Sequence, residues 1–184
     1  VRAQVDIPPK PGVTIVDSRP AARQYDPGHI PTAVNIPDGQ FEKLIDKLPA
    51  DVHFKRVPAM FGGPWDAHGQ MFLTLEAMGV EHKVHAAVFD AIQNQRKHLT
   101  KPEEMADFLA TQGVDKDKFL ATFNSFAIKG QVNQAKELAK KYEITGVPSM
   151  VVNGKYRLDL GTAGGPAGAI RVTEHLIAKE RAAQ

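Results

Sequence analysis

The sequence predicts an α/β protein in which a small sheet is interrupted by a long helical stretch. Three observations carry that expectation. Short β-rich runs occur only near the two ends, at Val13 to Val16 and Val52 to Val57, then at Ser149 to Val152 and Lys155 to Leu158. Between them, from Trp65 onward, apolar residues recur at helical spacing. The last two runs flank Asn153-Gly154, the strongest short hairpin signal there is. Strand, helix, strand, several helices, hairpin and helix describe a sheet with a helical insertion.

Residues 1–12 are proline-rich, with Pro8, Pro9 and Pro11, and read as an extended arm. After Val13-Thr14-Ile15-Val16, Pro20 sits where a first helical turn tolerates it. Ala21 to Tyr25 follows as a short helix that Pro27 and Gly28 end. Ala33 to Ile36 is a second extended run closed by Pro37. Phe41, Leu44, Ile45 and Leu48 mark a helix ended by Pro49. Val52 to Val57 alternates apolar and basic residues as a strand does, and Gly62-Gly63-Pro64 breaks the chain.

The helical stretch then divides by its stripes. Met71, Leu75 and Met78 form the first, with Gly79 as its C-terminal stop. Val84, Val88 and Ile92 form the second. Thr100-Lys101-Pro102-Glu103 reads as an N-cap, a first-turn proline and an acid near the helix start, ahead of Met105, Phe108 and Leu109. Further helices are expected over Val114 to Asn124 and Ile128 to Tyr142. Thr145-Gly146-Val147-Pro148 is a loop, and a glycine-rich turn, Gly161 to Gly168, leads to a last helix over Ile170 to Lys179.

Composition narrows function mostly by exclusion. The 184 residues suit one domain, or one domain carrying an insertion, and are enough to bury a sizeable core. A hydrophobic fraction of 42% and a charged fraction of 24% are those of an ordinary globular chain. A net charge of +2, with pI about 8.8, is too mild and dispersed for nucleic acid. No apolar run approaches the ~18 residues of a membrane span. No basic segment followed by an apolar run opens the sequence, so an export signal is expected to be already removed or never present. The chain has no cysteine, which excludes disulfides, thiolate metal sites and thiol nucleophiles.

Two stretches carry family resemblances. Val52 to Gly63, Phe119 to Lys129 and Thr145 to Tyr156 resemble the DsbA-like thiol–disulfide oxidoreductases, a likeness that runs through residues 52–184. It implies a thioredoxin-like fold with an inserted helical domain. On that reading residues 13–63 and 142–184 form the thioredoxin-like domain and 64–141 the insertion. It also implies a periplasmic enzyme that oxidises thiols of exported proteins and is reoxidised by a membrane quinone reductase. Residues 13–51 resemble instead the front half of a rhodanese domain, through Val16-Asp17-Ser18-Arg19, Tyr25 and Gly28 to Pro37.

Both families act through a cysteine. The DsbA family runs its first strand into Cys-Pro-x-Cys, and here Val13 to Val16 runs into Arg19-Pro20-Ala21-Ala22, without a thiol; the Asp17-Ser18-Arg19 context favours reading Arg19-Pro20 as part of the rhodanese-like segment instead. Disulfide exchange needs a thiolate that attacks a disulfide sulfur, and sulfur transfer needs a cysteine persulfide. No catalytic residue is therefore assigned. The loop Gly146-Val147-Pro148 is the candidate binding site, because in the resembled family this loop carries a cis-proline beside which extended peptides add as a strand.

Other candidates are weaker. Lys55 corresponds to a family lysine in a charged cluster, or simply faces solvent on an alternating strand. His82 and His85 could share a helix face, with His98 beyond it, but without a metal-site motif or a carboxylate companion exposed helix residues are expected, with no metal and no cofactor. His29 is expected in a structural turn, and Ser125 and Ser149 lack a histidine and acid positioned for hydrolysis. The functions in view are a redox-inactive DsbA-family scaffold, a non-catalytic peptide-binding module and a truncated rhodanese-type sulfur carrier. The partners expected are extended segments of exported proteins and a membrane quinone reductase, with no nucleic acid.

Overall fold

A computed structural model of the chain describes residues 13–16, 48 and 50–183. The expected arm over residues 1–12, the short helix at 21–25, the run at 33–36 and most of the rhodanese-like segment lie outside the described residues, as do Arg19-Pro20-Ala21-Ala22 and His29. The chain divides into two compact units. Among the described residues, one holds 13–16, 48, 50–57 and 146–183, and the other holds 58–145.

The first unit is built on a sheet of four strands: β1 (Val13–Val16), β2 (His53–Arg56), β3 (Ser149–Val152) and β4 (Tyr156–Asp159), in the order β2-β1-β3-β4. β1 runs parallel to β2, with Val13 opposite His53 and Val16 opposite Arg56. It runs antiparallel to β3, with Ile15 opposite Val151. β3 and β4 form an antiparallel hairpin in which Val152 faces Tyr156. A parallel pair followed by a hairpin and a final helix is the thioredoxin-like α/β arrangement.

The hairpin turn follows from two residues. Asn153 and Gly154 both have positive φ, 49° and 67°, and the Lys155 N–H donates to the Val152 carbonyl over 3.0 Å. Positive φ at both central positions matches the right-handed twist of the flanking strands. Because the Lys155 amide is used in the turn, β4 begins at Tyr156, one residue later than the sequence pattern places it.

All four residues of β3 are buried, so this strand reads as an unbroken apolar run after Ser149 instead of an alternating one. Met150 and Val152 meet Leu158, Leu160, Ala169 and Ile177 in one core, joined by Leu48, Val52 and Phe54. Ala169 and Ile177 belong to the last helix, residues Pro166–Ala182. That helix starts four residues before the expected Ile170, because Pro166 occupies its first turn and the glycine-rich run does not end until Gly165. Gly168 lies inside it, where a β-carbon would sit 1.8 Å from the Ala163 carbonyl oxygen. Thr173 is fully buried and donates its hydroxyl to the Met150 sulfur at 2.9 Å.

In the chain, the described residues of the second unit come between β2 and β3, and their regular elements are helices. Its helices are α1 (Pro64–Ala77), α2 (Glu81–Gln93), α3 (Pro102–Thr111), α4 (Lys116–Phe123) and α5 (Phe126–Lys141); the Pro166–Ala182 helix is α6. Their stripes converge on one core of Met71, Leu75, Val84, Val88, Ala91, Leu99, Met105, Leu109, Phe119 and Phe123. Met105, Leu109 and Phe119 are completely buried, and each such side chain stabilises the fold by about 1.5–3 kcal/mol through its removal from water.

The helix ends depart from expectation in instructive places. α3 is preceded by Lys101, which makes no side-chain cap, and not by Thr100 as its N-cap. α4 is capped by Asp115, whose carboxylate accepts the Lys118 N–H at 2.8 Å. α5 begins two residues before the expected Ile128, because the Ser125 hydroxyl accepts the Ile128 N–H at 3.3 Å. At its far end the Ile144 N–H reaches back to the Ala139 carbonyl over 2.8 Å, a closure that lets the chain leave the helix.

Two glycine-to-alanine changes should have opposite signs. Gly168→Ala should destabilise the protein by ~1–3 kcal/mol, because backbone must yield to the new methyl group. Gly130→Ala, in open space on α5, should stabilise by about 0.5–1 kcal/mol through helix propensity. Urea unfolding of the two variants beside the parent checks both values.

Candidate functional site

The loop Gly146-Val147-Pro148 leads directly into β3. Its three residues are half-buried, while the Ser149 that follows is buried. The Ser149 hydroxyl donates to the Gly146 carbonyl at 2.7 Å, which closes the loop across Val147 and Pro148. The Val147–Pro148 peptide bond is cis. β4 pairs with Ser149 through Val152 and β1 with Met150 through Val152, so Val147 precedes the stretch engaged by either strand. Gly146, Val147 and Pro148 carry no nucleophile and no titratable side chain. What they offer is a backbone amide and carbonyl beside a small apolar surface. That equipment suits binding and not bond-breaking.

Other residues singled out by sequence have structural employment. Lys55 is exposed on β2, which favours the solvent-facing reading. Ser125 is a helix cap and Ser149 a loop closure, so neither is set up as a nucleophile. His85 does have a carboxylate companion, contrary to expectation: its Nδ1 lies 2.5 Å from Glu81 Oε1, one helical turn earlier, with the Phe89 ring beside it. His82 is exposed, and His68 Nε2 lies 2.8 Å from the His98 carbonyl oxygen. Among the described residues no three His, Asp or Glu side chains converge as a metal site. No helix among them is long and apolar enough to cross a membrane.

Sequence reasoning missed a buried carboxylate that collects three hydrogen bonds in the first unit. Glu180, near the end of α6, is only 7% exposed. Its carboxylate accepts from Asn153 Nδ2, from Lys155 Nζ at 2.6 Å and from the Tyr156 hydroxyl at 3.1 Å. The hydrogen bond from Lys155, followed by that from Asn153, holds Glu180 below the usual carboxylate range, against the opposing effect of burial. The same contact raises Lys155 above its ordinary value. Beside it, Arg181 donates through Nε at 2.7 Å, and through Nη2, to the two oxygens of Asp51. Glu180 thus fastens the hairpin to α6. In sequence it stands between Lys179 and Arg181 and looks like part of a solvated face, and nothing local marks it.

The described chain is similar to known proteins in sequence and in fold. The DSBA-like thioredoxin domain family matches residues 46–167. The thiol:disulfide interchange protein DsbA of Pseudomonas syringae pv. tomato is 69% identical over 139 residues, covering 76% of this chain and 65% of that protein. Its counterpart from Azotobacter vinelandii is 60% identical over 149 residues, covering 79% of this chain and 70% of that protein. The chain therefore matches about two thirds of the length of these curated relatives. The crystal structure of Pseudomonas aeruginosa DsbA superposes with a TM-score of 0.81 at 54% identity, over 97% of this chain and 88% of that one. DsbA from Xylella fastidiosa superposes with a TM-score of 0.79 at 28% identity, over 95% and 89%.

The Glu180 contacts imply an acid-side pH dependence. A carboxyl whose folded pKa is lowered adds stability above its unfolded pKa, near 4.3, and loses it as pH falls through the folded value. Glu180→Gln should therefore unfold at lower urea concentration than the parent at neutral pH. The gap should narrow steadily below about pH 4 as the parent's own carboxylate protonates. Urea midpoints of both proteins across that range supply the check.

Proposed function

The chain belongs to the DSBA-like thioredoxin family, and from that premise we propose that it is a thiol–disulfide oxidoreductase scaffold that binds extended peptides without exchanging disulfides. The observation that carries this reading is the absence of cysteine from a chain so similar to thiol:disulfide interchange proteins. Exchange proceeds only through a thiolate that forms and releases an S–S bond, and no other side chain substitutes for it. The parent activity of the family supplies the partners by resemblance: unfolded or extended segments of exported proteins, with a membrane quinone reductase as the family's reoxidant. The periplasm is the compartment consistent with those partners.

Gly146, Val147 and Pro148 are the proposed peptide-binding residues. The support is their position: an anchored, half-buried loop ahead of the paired part of β3, with backbone groups available to an added strand. Main-chain hydrogen bonds give affinity that depends little on peptide sequence, which fits a scaffold whose clients are diverse. We also propose that residues 64–141 are the insertion that splits the thioredoxin-like domain into 13–63 and 142–184. The resemblance of residues 13–51 to a rhodanese rests on the sequence reading alone, and a sulfur carrier is the weaker proposal, since a persulfide needs a cysteine sulfur.

Two measurements test the proposal together. Insulin reduction and peptide oxidation should stay at the uncatalysed rate. Titration with an unstructured, cysteine-free peptide should move the backbone amide signals of Gly146, Val147 and Ser149 in a nitrogen-15 correlation spectrum. Catalysed exchange would overturn the first half, and saturable binding that leaves those three amides unmoved would overturn the second.

A further inference from the structure

The Glu180 cluster holds a second piece of chemistry, independent of peptide binding. Asn-Gly is the pairing in which an asparagine side chain is least durable, because glycine has no side chain to keep its nitrogen away from the neighbouring amide carbon. We infer that Asn153–Gly154 is a site of spontaneous deamidation that the Glu180 carboxylate holds back in the folded chain.

The reaction needs only water and base. The Gly154 nitrogen gives its proton to solvent base and attacks Cγ of Asn153. A new N–Cγ bond closes a five-membered succinimide, the Cγ–Nδ2 bond breaks, and the nitrogen leaves as ammonia after taking up a proton. Water then opens the ring at either carbonyl and yields aspartate or isoaspartate. No electrons are exchanged with any other group.

Three features of the fold oppose the first step. Asn153 Nδ2 donates to Glu180 Oε2, so the leaving amide is tied to α6. The backbone is held with φ at 49° and 67°, and the Lys155-to-Val152 hydrogen bond closes the turn. Bringing the Gly154 nitrogen onto Cγ means rotating the peptide between the two residues, which breaks that turn. Finally, the Glu180 carboxylate engages the Lys155 ammonium at 2.6 Å, so that cation is not free to stabilise negative charge forming on the Gly154 nitrogen.

The products would undo the fastening that delays them. Aspartate at 153 sets a carboxylate against Glu180 and removes a donor. Isoaspartate adds a carbon to the main chain, so the turn no longer places Tyr156 opposite Val152. Asn153 is therefore a slow one-way modification site, coupled to the attachment of the hairpin.

Peptide mapping by mass spectrometry, with isoaspartyl methyltransferase labelling, measures the rate at physiological temperature and mildly alkaline pH. The folded parent should lose the Asn153 amide at least about tenfold more slowly than the same protein in urea, the ratio set by a local opening free energy of about 1.4 kcal/mol. Glu180→Ala should erase most of that difference while its circular dichroism is retained, and while Asn94 and Asn124 react at their parental rates. Should the alanine variant not fold, Glu180→Gln takes its place and should react faster than the parent through loss of charge. A folded parent that deamidates at the urea rate, or a folded Glu180 variant that deamidates at the parental rate, overturns the inference.

Discussion

Strand β3 is the constraint on which the first unit rests. Four consecutive residues, Ser149 to Val152, are buried, and β1 and β4 pair on either side. A strand in that position has no solvent face on which to place polar side chains, so its composition is dictated from both sides. Its pairings fix the register of β1, and its turn fixes that of β4. Met150 and Val152 provide the floor on which Ala169 and Ile177 of α6 settle. The Gly146-Val147-Pro148 loop inherits its position from the same strand, because Ser149 is both the first residue of β3 and the donor that closes the loop.

What was legible in the sequence was whatever is decided within a few residues. Asn153-Gly154 announced the hairpin because the turn itself demands positive φ at two successive positions. The stripes Met71–Leu75 and Val84–Val88 announced helices because their burial repeats at helical spacing. The shifted boundaries have local causes as well. Ser125 and Asp115 each accept from an amide three residues ahead, and both helices start from those caps. The glycine-rich run concealed the start of α6, since Gly168 reads as a breaker in sequence. Its lack of a side chain is in fact what lets the helix pass the Ala163 carbonyl.

What was not legible depends on residues distant in the chain. Glu180 gathers donors from the hairpin, and Arg181 reaches Asp51, each across a separation that no local pattern encodes. The His85–Glu81 pair belongs to the local class instead, because its two residues stand one helical turn apart in the sequence. The candidate loop falls between these cases. Its residues were recognisable by resemblance, whereas its anchoring by the Ser149 hydroxyl emerges only from the fold.

On the proposed function, loss of thiol chemistry and retention of the fold are compatible because they depend on different atoms. The two cores consist of aliphatic, aromatic and methionine side chains, the helix ends are satisfied by caps such as Asp115 and Ser125, and the hairpin is fastened by a carboxylate. None of these terms involves sulfur–sulfur bonding, so the architecture does not depend on cysteine, which the chain lacks. Strand addition is insulated in a similar way. It draws on main-chain amides and carbonyls, which every non-proline residue supplies, and on a loop held by a hydrogen bond that uses no thiol. On the function proposed here, peptide binding is thus the part of the family's behaviour that can outlast its catalysis.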